Sequence, residues 1–241
     1  PFMVCFFIVA SLIVIGVNYS QIGNAFTAIF EFAFSPNAAW GGAVGLTISQ
    51  VITLGFKRGV FSNEAGLGSS VMVNSNSNVQ EPARQGFWGI FEVFVDTIIV
   101  CTMTALVILT SGVIELNTGK LAEGTTGDAT LVAKAFDSVF SIGGINIGSM
   151  FIAIAIFLFA FTTVLGWSHY GTKAWEFLFG VKSTFAYKIF FVFIIIFGAV
   201  MTSSLAWDIS DTFNGMMMIP NLIGVIVLSP VVYKITKNYK D

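Results

Sequence analysis

The stretch Gly55-Phe56-Lys57-Arg58-Gly59-Val60-Phe61-Ser62-Asn63-Glu64-Ala65-Gly66-Leu67-Gly68-Ser69-Ser70 decides how this chain is read. It follows nineteen uncharged residues, 38 to 56, so an apolar helix of membrane length runs directly into glycines, a basic pair and a carboxylate. In hydrocarbon, each backbone N–H or C=O without a partner costs several kcal/mol, so such an interruption survives only where protein or a watery cavity surrounds it. A helix broken at membrane depth usually marks a solute site. On local sequence alone an alternative stays open: a helix ending at the bilayer surface after Phe56, followed by an ordinary polar loop, because charged residues are commonest at span ends.

If the helix is broken, electrostatics assigns each side of the gap. Lys57 and Arg58 are cations in the last turn of a first half-helix, and Gly59 is placed to cap it. Ser62 or Asn63 suits the cap of a second half, expected over 65 to about 73, with Glu64 in its first turn, where negative charge is favoured. Two opposed helix ends would then share one pocket. The carbonyl end suits an ammonium or Na+, and the N–H end suits a carboxylate, which together would hold a small zwitterion.

Composition gives the class independently. Hydrophobic residues make up 56% and charged residues 10% of the chain, with mean hydropathy +0.87; a soluble domain carries about 25% charged residues, so an all-α polytopic membrane protein is expected. A net charge of -2 without a basic stripe leaves no footprint for nucleic acid. Cys5 and Cys101 both lie inside apolar runs and read as small hydrophobes rather than a disulfide or metal pair. The chain starts at Pro1 with neither methionine nor a basic leader, and 2–17 is already apolar, which reads as a piece of a longer protein rather than a signal peptide.

The expected organisation is one transmembrane domain over 1–241: a span at 1–19, a connector at 20–37, the broken span at 38–78, a span at 79–113, an external loop at 114–137, a span at 138–172, a cytoplasmic connector at 173–188, spans at 189–207 and 208–233, and a basic tail at 234–241. A tight turn holding Asp208 and Asp211 joins the last two. Glu92 and Asp96 sit one turn apart on the third of these spans. Acids near a span end are usually interfacial; the functional alternative has Asp96 lying deeper and pairing with Lys57 or Arg58. Six crossings put both ends of the sequence on one side. With that side cytoplasmic, seven basic residues (Arg84, Lys173, Lys182, Lys188, Lys234, Lys237, Lys240) face inward against two outward (Lys120, Lys134), as the positive-inside rule requires.

The run Gly55 to Ser69 resembles the signature of the alanine or glycine:cation symporter family, the sodium:alanine symporters. Similarity extends upstream through Ala33-Phe34-Ser35-Pro36-Asn37-Ala38-Ala39-Trp40-Gly41-Gly42 and downstream through Asp96-Thr97-Ile98-Ile99-Val100-Cys101-Thr102-Met103-Thr104-Ala105-Leu106. It continues in Phe161-Thr162-Thr163-Val164-Leu165-Gly166-Trp167 and Ser229-Pro230-Val231-Val232-Tyr233-Lys234, nearly the whole chain. Asn74-Ser75-Asn76-Ser77-Asn78 departs from the family, where alanine is common.

The resemblance implies a leucine-transporter-type fold of two inverted repeats, of which this chain would carry the last helix of repeat one and all of repeat two. It also implies a symporter of a prokaryotic cell membrane that couples inward Na+ flux, or conceivably proton flux, to uptake of L-alanine, glycine or D-alanine by alternating access, with Na+ as coupling ion and no cofactor. The expected substrate site comprises Phe61, Ser62, Asn63 and Gly66, with Trp167 closing the pocket from a facing helix. Thr162 and Thr163 are the expected Na+ ligands, since symporters of this type use a hydroxyl pair there; back-bonding to the preceding turn is the plainer role for a membrane threonine. Arg58, Glu64 and Asp96 are candidates for gate or charge pairs. The first broken helix of the template would lie outside this sequence, so residues 1–241 alone are not expected to transport.

Four other readings compete with this one. A channel needs a continuous pore lined by polar rings, whereas the polar residues here cluster at one break. An intramembrane enzyme needs a nucleophile with a base or a metal cluster, yet His169 is the one histidine and no His-Glu-x-x-His or Gly-x-Ser-x-Gly pattern occurs. Another cation-coupled transporter of the same fold, or a structural membrane subunit, remains open, though the latter gives no reason for the interruption.

Overall fold

The computed structural model describes residues 2–34, 53, 55, 59, 64, 66–118, 120–122 and 129–239. Helix dominates. Four helices among the described residues are long and apolar enough to cross a membrane: Pro82–Thr110, Ile147–Phe179, Val181–Val200 and Ser203–Asn238. A fifth candidate is the pair Phe2–Val17 and Tyr19–Glu31, bent by 75°. The chain is therefore a polytopic helical membrane protein; the broken span expected over 38–78 lies largely outside the described residues.

The contacts divide into two units. The first comprises Pro1–Thr53 and Phe94–Phe161. It opens with α1 (Phe2–Val17), uncharged all round, as a membrane helix must be. Asn18 ends it, its backbone N–H and its amide Nδ2 both donating to the Val14 carbonyl at 3.2 and 3.0 Å. A single 3-10 turn then leads into α2 (Ile22–Phe34), where the bend occurs. A six-residue π-helical segment, Val95–Val100, continues into α5 (Cys101–Thr110), which packs against α1, α2 and the short α6 (Ala129–Asp137).

The core of this unit is Val14, Val107, Val113, Ala135, Phe136 and Ile152. Phe136 is fully buried and lies 5.9 Å from the ring of Phe7, 6.3 Å from Phe140 and 5.8 Å from Phe151. Just beyond it, β1 (Ser141–Ile142) and β2 (Ile145–Asn146) pair antiparallel, Ser141 opposite Asn146 and Ile142 opposite Ile145. The two-residue turn between them is Gly143-Gly144 with φ of 61° and 82°, the left-handed pair that a tight hairpin of this hand demands. The hairpin delivers the chain into α7 (Ile147–Phe179), whose start is capped from outside: the Asp137 carboxylate accepts the Ser149 backbone N–H at 2.7 Å and, through its second oxygen, the Ser149 hydroxyl. At 33 residues α7 is about 50 Å long, more than a bilayer core needs.

The second unit comprises Leu54–Val93 and Thr162–Asp241. It contains α3 (Ser70–Asn74), α4 (Pro82–Phe94), the rest of α7, α8 (Thr184–Val200) and α9 (Ser203–Asn238). The α7–α8 corner is fastened by Trp175, which stacks on Phe179 at 4.5 Å and Tyr187 at 5.6 Å and donates its indole N–H to Ser183 Oγ at 3.0 Å. The last two helices are not divided at Asp208 and Asp211 as the charge pattern suggests. The break falls at Met201 and Thr202, both extended, with Thr202 in the cap position, and both aspartates lie inside α9. The extended backbone at Met201 and Thr202 ends one helix and begins the next without a charged turn, Thr202 making no side-chain capping bond.

Candidate functional site

The described part of the interrupted motif is a compact turn within the second unit. Thr53, Gly55 and Gly59 have helical backbone, so Gly59 is not the left-handed cap expected from its position. Glu64 takes the left-handed conformation instead, with φ of 55°, uncommon for a side chain of its kind. Its carbonyl accepts the N–H groups of Leu67 (3.0 Å) and Gly68 (2.9 Å), closing the turn. Gly68 is left-handed in its own right at φ 77°. Two left-handed residues so close together keep the chain off a helical path, which is why α3 resumes only at Ser70 and not near Ala65.

Polar side chains tie this turn to its neighbours. The Ser69 hydroxyl donates to Glu64 Oε2 at 3.0 Å, and the phenol of Tyr170 on α7 is hydrogen-bonded to the same carboxylate. From α9, Asn221 donates its amide Nδ2 to the Gly66 carbonyl at 3.0 Å, across 155 residues of sequence. Ser69 and Leu67 are almost wholly buried. At the far end of α3, Gln85 on α4 donates to Asn74 Oδ1 at 2.6 Å, so the Asn/Ser run that follows the motif has a tie to its neighbour.

The sequence-expected residues fall into three groups. Gly66 and Glu64 lie in the turn itself, and Trp167 packs edge-on against Tyr170 at 5.7 Å, one step from the carboxylate. Thr162 and Thr163 lie on α7 with exposed side chains. Thr163, Trp167 and Tyr170 follow an i, i+4, i+7 spacing and so share one helix face, with Thr162 turned about 100° away. Asp96 lies half-buried in the π segment of the first unit. Arg58, Phe61, Ser62 and Asn63 lie outside the described residues, as does Lys57.

Sequence reasoning passed over Tyr170, Asn221 and Ser69. Tyr170, beside His169 near a span end, reads as an interfacial aromatic. Asn221 carried a usable signal: an amide within the apolar run 212–233, where a polar group in a span calls for a protein partner. Among the described residues no group of three or more His, Cys, Asp or Glu side chains is arranged to hold a metal ion. Carbonyl and carboxylate oxygens are what this turn offers, ligands suited to a hard monovalent cation or to the ammonium end of a zwitterion.

A protein-family model described as the sodium:alanine symporter family matches residues 1–241. The sodium/alanine symporter AgcS of Methanococcus maripaludis is 41% identical over 243 residues, covering 100% of this chain and 50% of the relative. A probable sodium/glutamine symporter, GlnT of Bacillus subtilis, is 35% identical over 98% of this chain and 45% of its own length. A sodium/proton-dependent alanine carrier protein of Bacillus sp. strain PS3 is 32% identical over 100% of this chain and 55% of its own. The chain thus spans about half the length of the curated relatives it matches.

Proposed function

The chain belongs to the sodium:alanine symporter family, and on that footing we propose that it forms part of a secondary active symporter of a prokaryotic cell membrane, with both ends of the sequence cytoplasmic. Inward Na+ flux drives uptake of a small neutral amino acid, alanine or glycine, by alternating access in a leucine-transporter-type inverted-repeat fold. The observation that carries this reading is the turn from Glu64 to Ser69, an interruption between helical segments held by polar groups from two spans. An unwound turn held by side chains from neighbouring spans is the arrangement in which a membrane protein places a solute site.

In this reading Phe61, Ser62, Asn63 and Gly66 line the amino acid, Trp167 closes over it, and Thr162 with Thr163 ligates Na+. The binding energy of the ion favours the substrate-loaded conformation, which couples the two ligands through one equilibrium. Arg58, Glu64 and Asp96 supply charge at the gates. Glu64 keeps the turn closed through its carbonyl and offers its carboxylate to the site.

The test is uptake of radiolabelled alanine by the full-length protein in proteoliposomes under an inward Na+ gradient. Saturable uptake that stops when K+ replaces Na+ is expected, with unlabelled glycine and D-alanine competing. Uptake that survives Na+ replacement but collapses with a protonophore would move the coupling to protons. Preferential competition by glutamine would move the substrate toward that of the glutamine-named relative. No gradient-driven uptake of any of these would overturn the reading.

A further inference from the structure

Asn221 stands 155 residues from the motif, yet its side chain meets it at two points. The amide nitrogen holds the Gly66 carbonyl at 3.0 Å. The space where a Cβ on Gly68 would sit is 2.6 Å from Asn221 Oδ1, closer than real Cβ atoms come, and 3.0 Å from Cγ, a tight contact. The two ends of one amide thus bracket the turn, and Gly68 is bare both for its φ of 77° and to admit Asn221. We infer that Asn221 is a positioning residue for the solute site: it docks the unwound turn onto α9 and fixes where the Gly66 carbonyl points. This rests on the proposed function above and adds to it a third helix acting on the site.

The physical consequence is a population effect. With the amide gone, the turn samples geometries in which Gly66 no longer faces the solute. Apparent affinity then falls by the fraction that remains competent, while the rate at saturating solute is kept. A partly buried carbonyl losing its donor shifts such an equilibrium by roughly fivefold.

The experiment compares the full-length protein with Asn221→Asp, which keeps the shape and removes the donor, with Asn221→Ala, and with Gly68→Ala alone and in the Asn221→Ala background. Hydrogen–deuterium exchange of the peptide containing 66–70 is read alongside the KM and maximal rate of alanine uptake. Expected are exchange and KM both raised roughly fivefold in the two Asn221 variants, with maximal rate within about twofold. A smaller penalty for Gly68→Ala is expected once Asn221 is shortened, because part of that penalty is the clash. Unchanged exchange in both Asn221 variants overturns the clamp. Raised exchange with unchanged KM, or a rise in KM matched by an equal loss of folded yield, reduces it to a structural tie and overturns the positioning role. If the unmodified protein takes up no alanine, the substrate assignment fails, and exchange together with the Gly68 and Asn221 coupling still decides the clamp.

Discussion

Around Phe136, three aromatic rings and the side chains of Val14, Val107 and Ile152 close a core by area alone. Around Gly66, the contacts come from a phenol, a serine hydroxyl and an amide, each aimed at one oxygen. Burying a large apolar side chain is worth about 1.5–3 kcal/mol and tolerates small displacements. A hydrogen bond nets about 0.5–1.5 kcal/mol and is lost within a fraction of an ångström. The first unit is therefore built to tolerate small shifts, whereas the second holds its turn with directional ties that small shifts break. Substitutions in the one should read out as stability, and in the other as affinity or rate.

The largest effect is expected from Phe136→Ala, which empties the middle of the aromatic cluster. Its cost is about 3–5 kcal/mol, measured as a lowered unfolding midpoint of the purified protein, with the KM of the surviving fraction unchanged. A shifted KM would break the contrast. Next is Glu64→Gln, which keeps the shape but replaces a charged acceptor; a loss of about 1.5–3 kcal/mol at the turn should cut uptake tenfold or more, with a smaller fall in the unfolding midpoint than Phe136→Ala gives. Asp137→Ala removes the outside cap of α7 and returns the effect to stability, about 1–2 kcal/mol by thermal unfolding, again without a change in KM. The smallest is Tyr170→Phe, which leaves Ser69 as donor to Glu64; a loss of about 1 kcal/mol predicts uptake weakened severalfold and sharpens how the carboxylate divides its partners.

How much of this was open to reading in the sequence depends on how far each cause lies from its effect. The apolar spans were legible because hydrocarbon imposes length and composition on each helix separately. The interruption announced itself through Gly66, Gly68 and Glu64 in one short run. The seat of the left-handed strain did not: glycine at 59 was the natural candidate for a cap, yet Glu64 carries the unusual φ because its carbonyl closes the turn and Ser69 and Tyr170 hold its side chain. Asn221 and Tyr170 were missed for the same reason, since nothing within several residues of either records a partner on another element. The boundary between α8 and α9 was misplaced because two aspartates in an apolar stretch look like a surface turn, and in the folded chain they ride within the first turns of a helix. The π segment left no mark at all, as Val95-Asp96-Thr97-Ile98-Ile99-Val100 would serve equally well in an ordinary α-helix.

That widened stretch changes what chain length means in the span Pro82–Thr110. Elsewhere in a membrane helix, dropping one residue swings everything beyond it round by about 100° and turns lipid-facing groups inward. Between Val95 and Val100 a dropped residue can instead be absorbed by tightening the wide turn, so both flanks keep their phase. The bore of the helix at Asp96 is thus adjustable by insertion or deletion in a way that its neighbours are not.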